Sequence, residues 1–106
     1  MATSSVHTTN PDIVRAAVIW TGYGTQSFPR RDDQCVREEF GDDAAGQLLT
    51  LLKALEKDFY ASDAWAKESD LQALARTACA DFSRLHPLAP SELSQVLAWC
   101  YTFDYK

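Results

Sequence analysis

The stretch AAGQLLTLLKALEKDFYAS, residues 44–62, constrains the fold more than any other part of the chain. Leu48, Leu52, Leu55 and Phe59 succeed one another at spacings of four, three and four. That period lines one face of an α-helix, and Leu49 and Leu51 widen the stripe. A helix draws most of its stability from packing such a face against something else. The remaining sequence must therefore cover an apolar stripe along its whole length.

The flanking segments carry matching patterns. Asn10-Pro11-Asp12 predicts a helix start: asparagine caps, proline fits the first helical position, and aspartate suits the positive end of the helix dipole. Ile13, Ala16, Ala17 and Trp20 then share a face, with Gly22 placed as a stop. Asp32 or Asp33 opens a helix through Val36 and Phe40, and Gly41 either ends it or kinks it into the next. Within SDAWAKE, Ser62 or Asp63 caps a single turn. Ser69 and Gln72 form a Ser-x-x-Gln capping box around a run of Leu71, Leu74, Ala78, Phe82 and Leu85. His86-Pro87 ends that run, because a residue before proline is driven out of the α region. A last helix starts at Pro90, carries Leu93, Val96, Leu97 and Cys100, and runs into the aromatic tail WCYTFDYK. In that tail Trp99 and Phe103 share a face with Val96 and are assigned to the core, which leaves Tyr101 and Tyr105 for the surface.

No run alternates strictly between apolar and polar residues, no Asn-Gly or Asp-Gly hairpin turn occurs, and nothing repeats internally. Four glycines and four prolines are too few for a turn-rich β-sandwich. At 106 residues the chain has room for one domain with one core. The expected fold is all-α, a single-domain helical bundle over 10–106. It should hold four main helices plus one or two short ones, mostly antiparallel neighbours, behind a flexible Ser/Thr-rich tail over 1–9.

Charge is unevenly spread. The chain has 15 acids against 10 bases, for a net charge of −5. Residues 32–43 hold six of the acids (Asp32, Asp33, Glu38, Glu39, Asp42 and Asp43) and a single base, Arg37, so this one segment matches the whole imbalance. An acidic chain with no basic face is a poor match for nucleic acid, whereas a basic protein surface complements it. The amino terminus has neither a basic region nor an apolar stretch of signal-peptide type, and no apolar run reaches the roughly 20 residues that span a bilayer. Cys35, Cys79 and Cys100 are odd in number and form no Cys-x-x-Cys pair, which signals neither a disulfide framework nor a zinc site. A cytoplasmic protein without membrane attachment is expected.

The most irregular stretch is WTGYGTQSFPRRDD, residues 20–33. Its Gly22-Tyr23-Gly24 looks like the start of a phosphate loop, but Ser27 stands where a dinucleotide fingerprint has its third glycine. No Gly-Lys-Ser/Thr comes after it, and no glycine-loop strand precedes it. Arg30 and Arg31 suit an anion, yet Asp32 and Asp33 adjoin them, and Arg30 with Asp33 has the spacing of a local helical pair. Glu38 with Asp42, and Glu39 with Asp43, stand four apart and would share a face on a continuous helix. A divalent cation would relieve that repulsion, but no alternating calcium-loop ligands and no Glu-x-x-His motif accompany the pairs, so no metal is expected. Cys100 and Cys79 fall on apolar stripes, where cysteine is usually inert filling. His86, at a helix end, is expected to meet the last carbonyls. No catalytic residue and no cofactor is assigned.

Two function classes emerge. The first is a non-enzymatic interaction module that binds a basic partner protein through Tyr23, Asp32, Asp33, Glu38, Glu39, Asp42 and Asp43. By analogy of size, charge and class, immunity proteins and antitoxins that plug the basic active site of a nuclease are its most concrete form. The second is a small-molecule or metal-binding helical domain, with or without catalysis, whose pocket uses the 20–31 loop through Tyr23, Arg30 and Arg31.

Overall fold

The computed structural model describes residues 11–105; the expected tail over 1–9 and the expected cap Asn10 lie outside them, and the first helix begins at Ile13 with Asp12, not Asn10, at its N-cap position. Among the described residues there are six α-helices and no strand. These are α1 (Ile13–Thr21), α2 (Asp33–Phe40), α3 (Asp42–Tyr60), α4 (Ala64–Lys67), α5 (Leu71–Leu85) and α6 (Ser91–Tyr105). The protein is thus an all-α helical bundle, with α2 and α4 as its short members. No helix among the described residues is long and apolar enough to cross a membrane.

The long α3 is the spine. Its Leu48, Leu49, Leu52, Leu55 and Phe59 are all buried, as the periodicity predicts. Cover comes from α1 through Ile13, Ala16, Ala17 and Trp20, from α5 through Leu74, Ala78 and Phe82, and from α6 through Leu93, Val96, Leu97 and Tyr101. Phe59 is where three of these helices meet: its ring centroid lies 5.3 Å from that of Phe82 and 5.6 Å from that of Tyr101. Both separations are in the range favoured by aromatic pairs. The close approach of Cys79 Sγ to the Ser94 carbonyl, at 3.7 Å, ties α5 to α6 after a short return through Pro87 and Pro90.

Several boundaries sit where the sequence puts them. Gly22 caps α1 in the left-handed conformation, with φ 80°, and its N–H donates to the Val18 carbonyl. Gly41, with φ 83°, separates α2 from α3, so the two helices are not one kinked rod. Both angles favour a residue without a side chain. Elsewhere the chain departs from expectation. The cap of α5 is Asp70, whose carboxylate accepts from the Ala73 N–H at 3.3 Å; Ser69 lies one residue too early to reach the first turn. Tyr101 is fully buried while Phe103 is exposed, the reverse of their expected assignment. Trp99 is half-buried and Tyr105 is exposed. The cause is helical phase: Tyr101 continues the stripe of Leu93 and Leu97 at four-residue spacing, and its hydroxyl donates to the Ser62 carbonyl at 2.8 Å and accepts from the Trp65 N–H at 3.2 Å. A satisfied hydroxyl can be buried with its ring.

Because Phe59 joins α3, α5 and α6, truncating it should be among the costliest single changes in the chain. Phe59→Ala is expected to lower unfolding free energy by about 3–5 kcal/mol. Equilibrium denaturation in urea measures it, and a loss below about 1 kcal/mol would contradict the packing described.

Candidate functional site

The irregular stretch closes on itself. After Gly22, the N–H groups of Thr25 and Gln26 donate back to the Gly22 carbonyl at 3.0 and 2.8 Å. The chain then returns past the end of α1, where the Arg30 N–H donates to the Thr21 carbonyl at 2.8 Å and the Asp32 N–H to the Trp20 carbonyl at 2.9 Å. Terminal carbonyls of a helix have no partner inside it, and here the returning arm of the loop supplies two. The result is a loop pinned at both ends, in the manner of an Ω-loop.

Trp20 sets the position of the acidic segment beyond the loop. Its ring is buried, and its indole N–H donates to Asp33 Oδ1 at 2.8 Å. The other oxygen of Asp33 accepts from Lys53 Nζ on α3 at 3.0 Å. One carboxylate therefore joins the end of α1, the first turn of α2 and the middle of α3. The Lys53 hydrogen bond, and after it that from Trp20, holds the Asp33 carboxyl below the usual carboxylate range. Asp32 caps α2 by accepting from the Cys35 N–H at 3.2 Å, and its hydrogen bonds with Cys35 likewise lower its pKa.

The six acids of 32–43 accordingly divide into two groups. Asp32, Asp33 and Glu39 are engaged within the chain, Glu39 by Arg15 of α1. Glu38, Asp42 and Asp43 are exposed and form no ion pair among the described residues. They stand at the α2–α3 junction. Since Gly41 breaks the helix, Glu38 and Asp42, like Glu39 and Asp43, lie on different helices and do not share a face. Among the described residues no three His, Cys, Asp or Glu side chains are grouped to hold a metal ion. Asp42 and Asp43 lie at one end of a shallow cavity of about 710 Å³ along the outer side of α3, bordered by Gly46, Thr50 and Ala54.

The loop's other candidates point elsewhere. The expected Arg30–Asp33 pair does not form, because Asp33 turns inward to Trp20; Arg30 instead faces Asp32 at 3.9 Å. Arg31 Nε donates to Glu56 at 2.5 Å, and its guanidinium lies 3.9 Å from Asp104 and 5.7 Å from the centre of the Trp20 ring. Both arginines are thus turned toward the protein's own groups. Tyr23 packs edge-on against Trp99 of α6, with centroids 5.4 Å apart, and lines a separate groove between α5 and α6. Neither Arg30 nor Arg31 lines that groove, whereas Arg76 and Gln95 do, and sequence spacing singled out neither of these.

Burial pushes the Cys100 thiol up to about 11 and raises that of Cys79. His86 does not meet the helix carbonyls through its ring; Nε2 lies 2.7 Å from Asp58 Oδ2 on α3, because the end of α5 crosses α3 there. No family model, no curated protein and no solved structure matches the chain.

The Asp33 bridge gives a prediction with a worked sign. Its folded carboxyl titrates below the unfolded value, so its contribution is complete above the unfolded value and is lost as pH falls through the folded one. Asp33→Ala leaves the buried indole N–H unpaired and should cost about 1–3 kcal/mol at neutral pH. Asp33→Asn keeps an acceptor but no charge, so it should cost less and flatten the loss of stability on acidification. Thermal denaturation of the three proteins from neutral to acidic pH reads both effects.

Proposed function

We propose that this protein is a non-catalytic interaction module of the immunity or antitoxin kind, which holds a basic partner protein through its acidic segment over 32–43. One observation carries the reading: Glu38, in the last turn of α2, and Asp42 and Asp43, in the first turn of α3, are all exposed and without ion pairs among the described residues. Unpaired carboxylates clustered on a fixed scaffold steer a cationic partner and then pair with it. The outer side of α3 beside them bears Gly46, Thr50 and Ala54, which allow a partner backbone to come close. Asp32, Asp33 and Glu39 serve the same surface at one remove, by fixing the angle at which α2 leaves the core. Tyr23, on the α5–α6 side, belongs to a different face.

A binding role rather than a catalytic one fits the chemistry of the interior. Cys79 and Cys100 are held as thiols by burial. The three cysteines are free, which suits the reducing cytoplasm expected from the sequence.

The test is capture from a low-salt lysate of the source cell, with the captured protein identified by mass and then purified. The partner should be basic, its affinity should fall steeply with salt, and Glu38→Lys, Asp42→Lys and Asp43→Lys together should weaken binding by about tenfold or more while the helical circular dichroism persists. Undiminished binding by that triple variant would overturn the proposal.

A further inference from the structure

Nine of the chain's lysines and arginines lie within the described residues, and six of them are ion-paired: Arg15, Arg30, Arg31, Lys53, Lys67 and Arg84. Arg37, Lys57 and Arg76 form no ion pair among the described residues. Of these three, Arg76 lines the groove of about 550 Å³ that runs between α5 and α6. The Arg76 guanidinium is exposed and has no carboxylate within ion-pair distance among the described residues, which leaves it open to an external anion.

The groove around it is built mainly from rings and small side chains. Tyr23 and Trp99 meet edge to face at 71°, forming an aromatic wall. Ala75 on α5 and Ala98 on α6 leave open the space that larger side chains would fill. Gln95 stands on α6 and, like Arg76, is exposed with a side chain that makes no hydrogen bond to another described residue. This open groove thus offers an apolar, aromatic floor with an unpaired planar cation and a side-chain amide among its lining groups. Pockets for small molecules commonly share that division of labour, in which apolar walls hold the body and a few polar groups set orientation.

We infer that this groove binds a small aromatic carboxylate. The ring lies along Tyr23 and Trp99 over the two alanines, where aromatic contacts add to the burial of apolar surface. The carboxylate meets the guanidinium of Arg76 through two parallel N–H···O bonds, the geometry in which arginine recognises carboxylates best. Gln95 donates to a remaining lone pair of the same group. A neutral ring gains only the first set of contacts, and a cationic ring is repelled. The groove shares no residue with the exposed acids Glu38, Asp42 and Asp43, so either assignment can fail alone.

The experiment is an NMR titration of isotope-labelled protein with naphthalene carboxylate, its neutral carboxamide and the corresponding methylamine. The carboxylate should give saturable shifts in the Trp99 indole N–H and in the backbone amides of Ala75 and Ala98. Arg76→Ala, at an exposed position that should not affect folding, should weaken it about tenfold, while the control Arg37→Ala leaves it unchanged. The carboxamide should bind native protein and Arg76→Ala alike, at the weaker level. The inference is overturned if the Arg76→Ala variant binds the carboxylate as tightly as the native chain, or the carboxamide binds as tightly as the acid. It is overturned equally if the shifts map away from the groove or fail to saturate at millimolar concentration.

Discussion

A buried indole N–H must find an acceptor, and the arrangement of this chain depends on how Trp20 finds one. The ring completes the apolar face of α1, so it cannot turn outward without uncovering the core. Its donor then requires a partner at the core's edge, and an unpaired one would cost on the order of 1–3 kcal/mol. Asp33 provides it, and in doing so draws the first turn of α2 against the end of α1. Lys53 makes the buried side of that carboxylate tolerable by supplying charge from α3. The backbone reinforces the same closure, since the returning loop hydrogen-bonds to the carbonyls of Trp20 and Thr21. Where the acidic segment points is therefore decided by a tryptophan that carries no charge.

That dependence marks the boundary of what can be read from a sequence. The stripe of α3, the stop at Gly22 and the end of α5 before Pro87 are local events, set by side-chain period and by backbone torsion, and all were legible; at Gly41 the sequence left a break and a kink both open, and the φ of 83° decides for the break. The partners of Arg30, Arg31 and Asp33 were not. Spacing favours Arg30 with Asp33, but a tertiary donor outcompetes a neighbour when the neighbour's pairing takes place in water, where an ion pair contributes little. His86 illustrates the same rule, finding Asp58 on α3 in place of the nearest carbonyls. Tyr101 and Phe103 exchange places because the buried stripe of α6 continues from Leu93 and Leu97 to Tyr101 instead of from Val96 and Trp99 to Phe103, and the Ser62 carbonyl receives the buried hydroxyl. Arg76 carried no signal at all in one dimension, since its significance lies in what fails to approach it.

The ion pairs also shape the protein's field. Individually, exposed pairs add little stability, and most of those here are at least partly exposed. Collectively they cancel charge over most of the surface. Glu56 and Asp104 are spent on Arg31, Asp63 on Lys67, and Asp81 on Arg84. Among the described residues Glu38, Asp42 and Asp43 are left without an ion pair, whereas Glu68, Asp70 and Glu92, also unpaired with a cation, accept hydrogen bonds from Thr77, the Ala73 N–H and Ser91. A segment that holds six carboxylates by count presents three unpaired ones by geometry.

The two faces are also joined mechanically. The pinned loop places Tyr23 on the wall of the α5–α6 groove at its beginning and delivers Asp32 and Asp33 to the start of α2 at its end. A disturbance at the Trp20–Asp33 bridge should propagate both ways, loosening the aromatic wall and the angle of the acidic helix together. Changes to charges at the outer edge of either face have no such route. Arg76 and Glu38 stand on separate helices, exposed, with no ion pair through which one could report to the other. The structure thus separates residues that position both surfaces from residues that belong to only one, and the division falls between what Trp20 touches and what it does not.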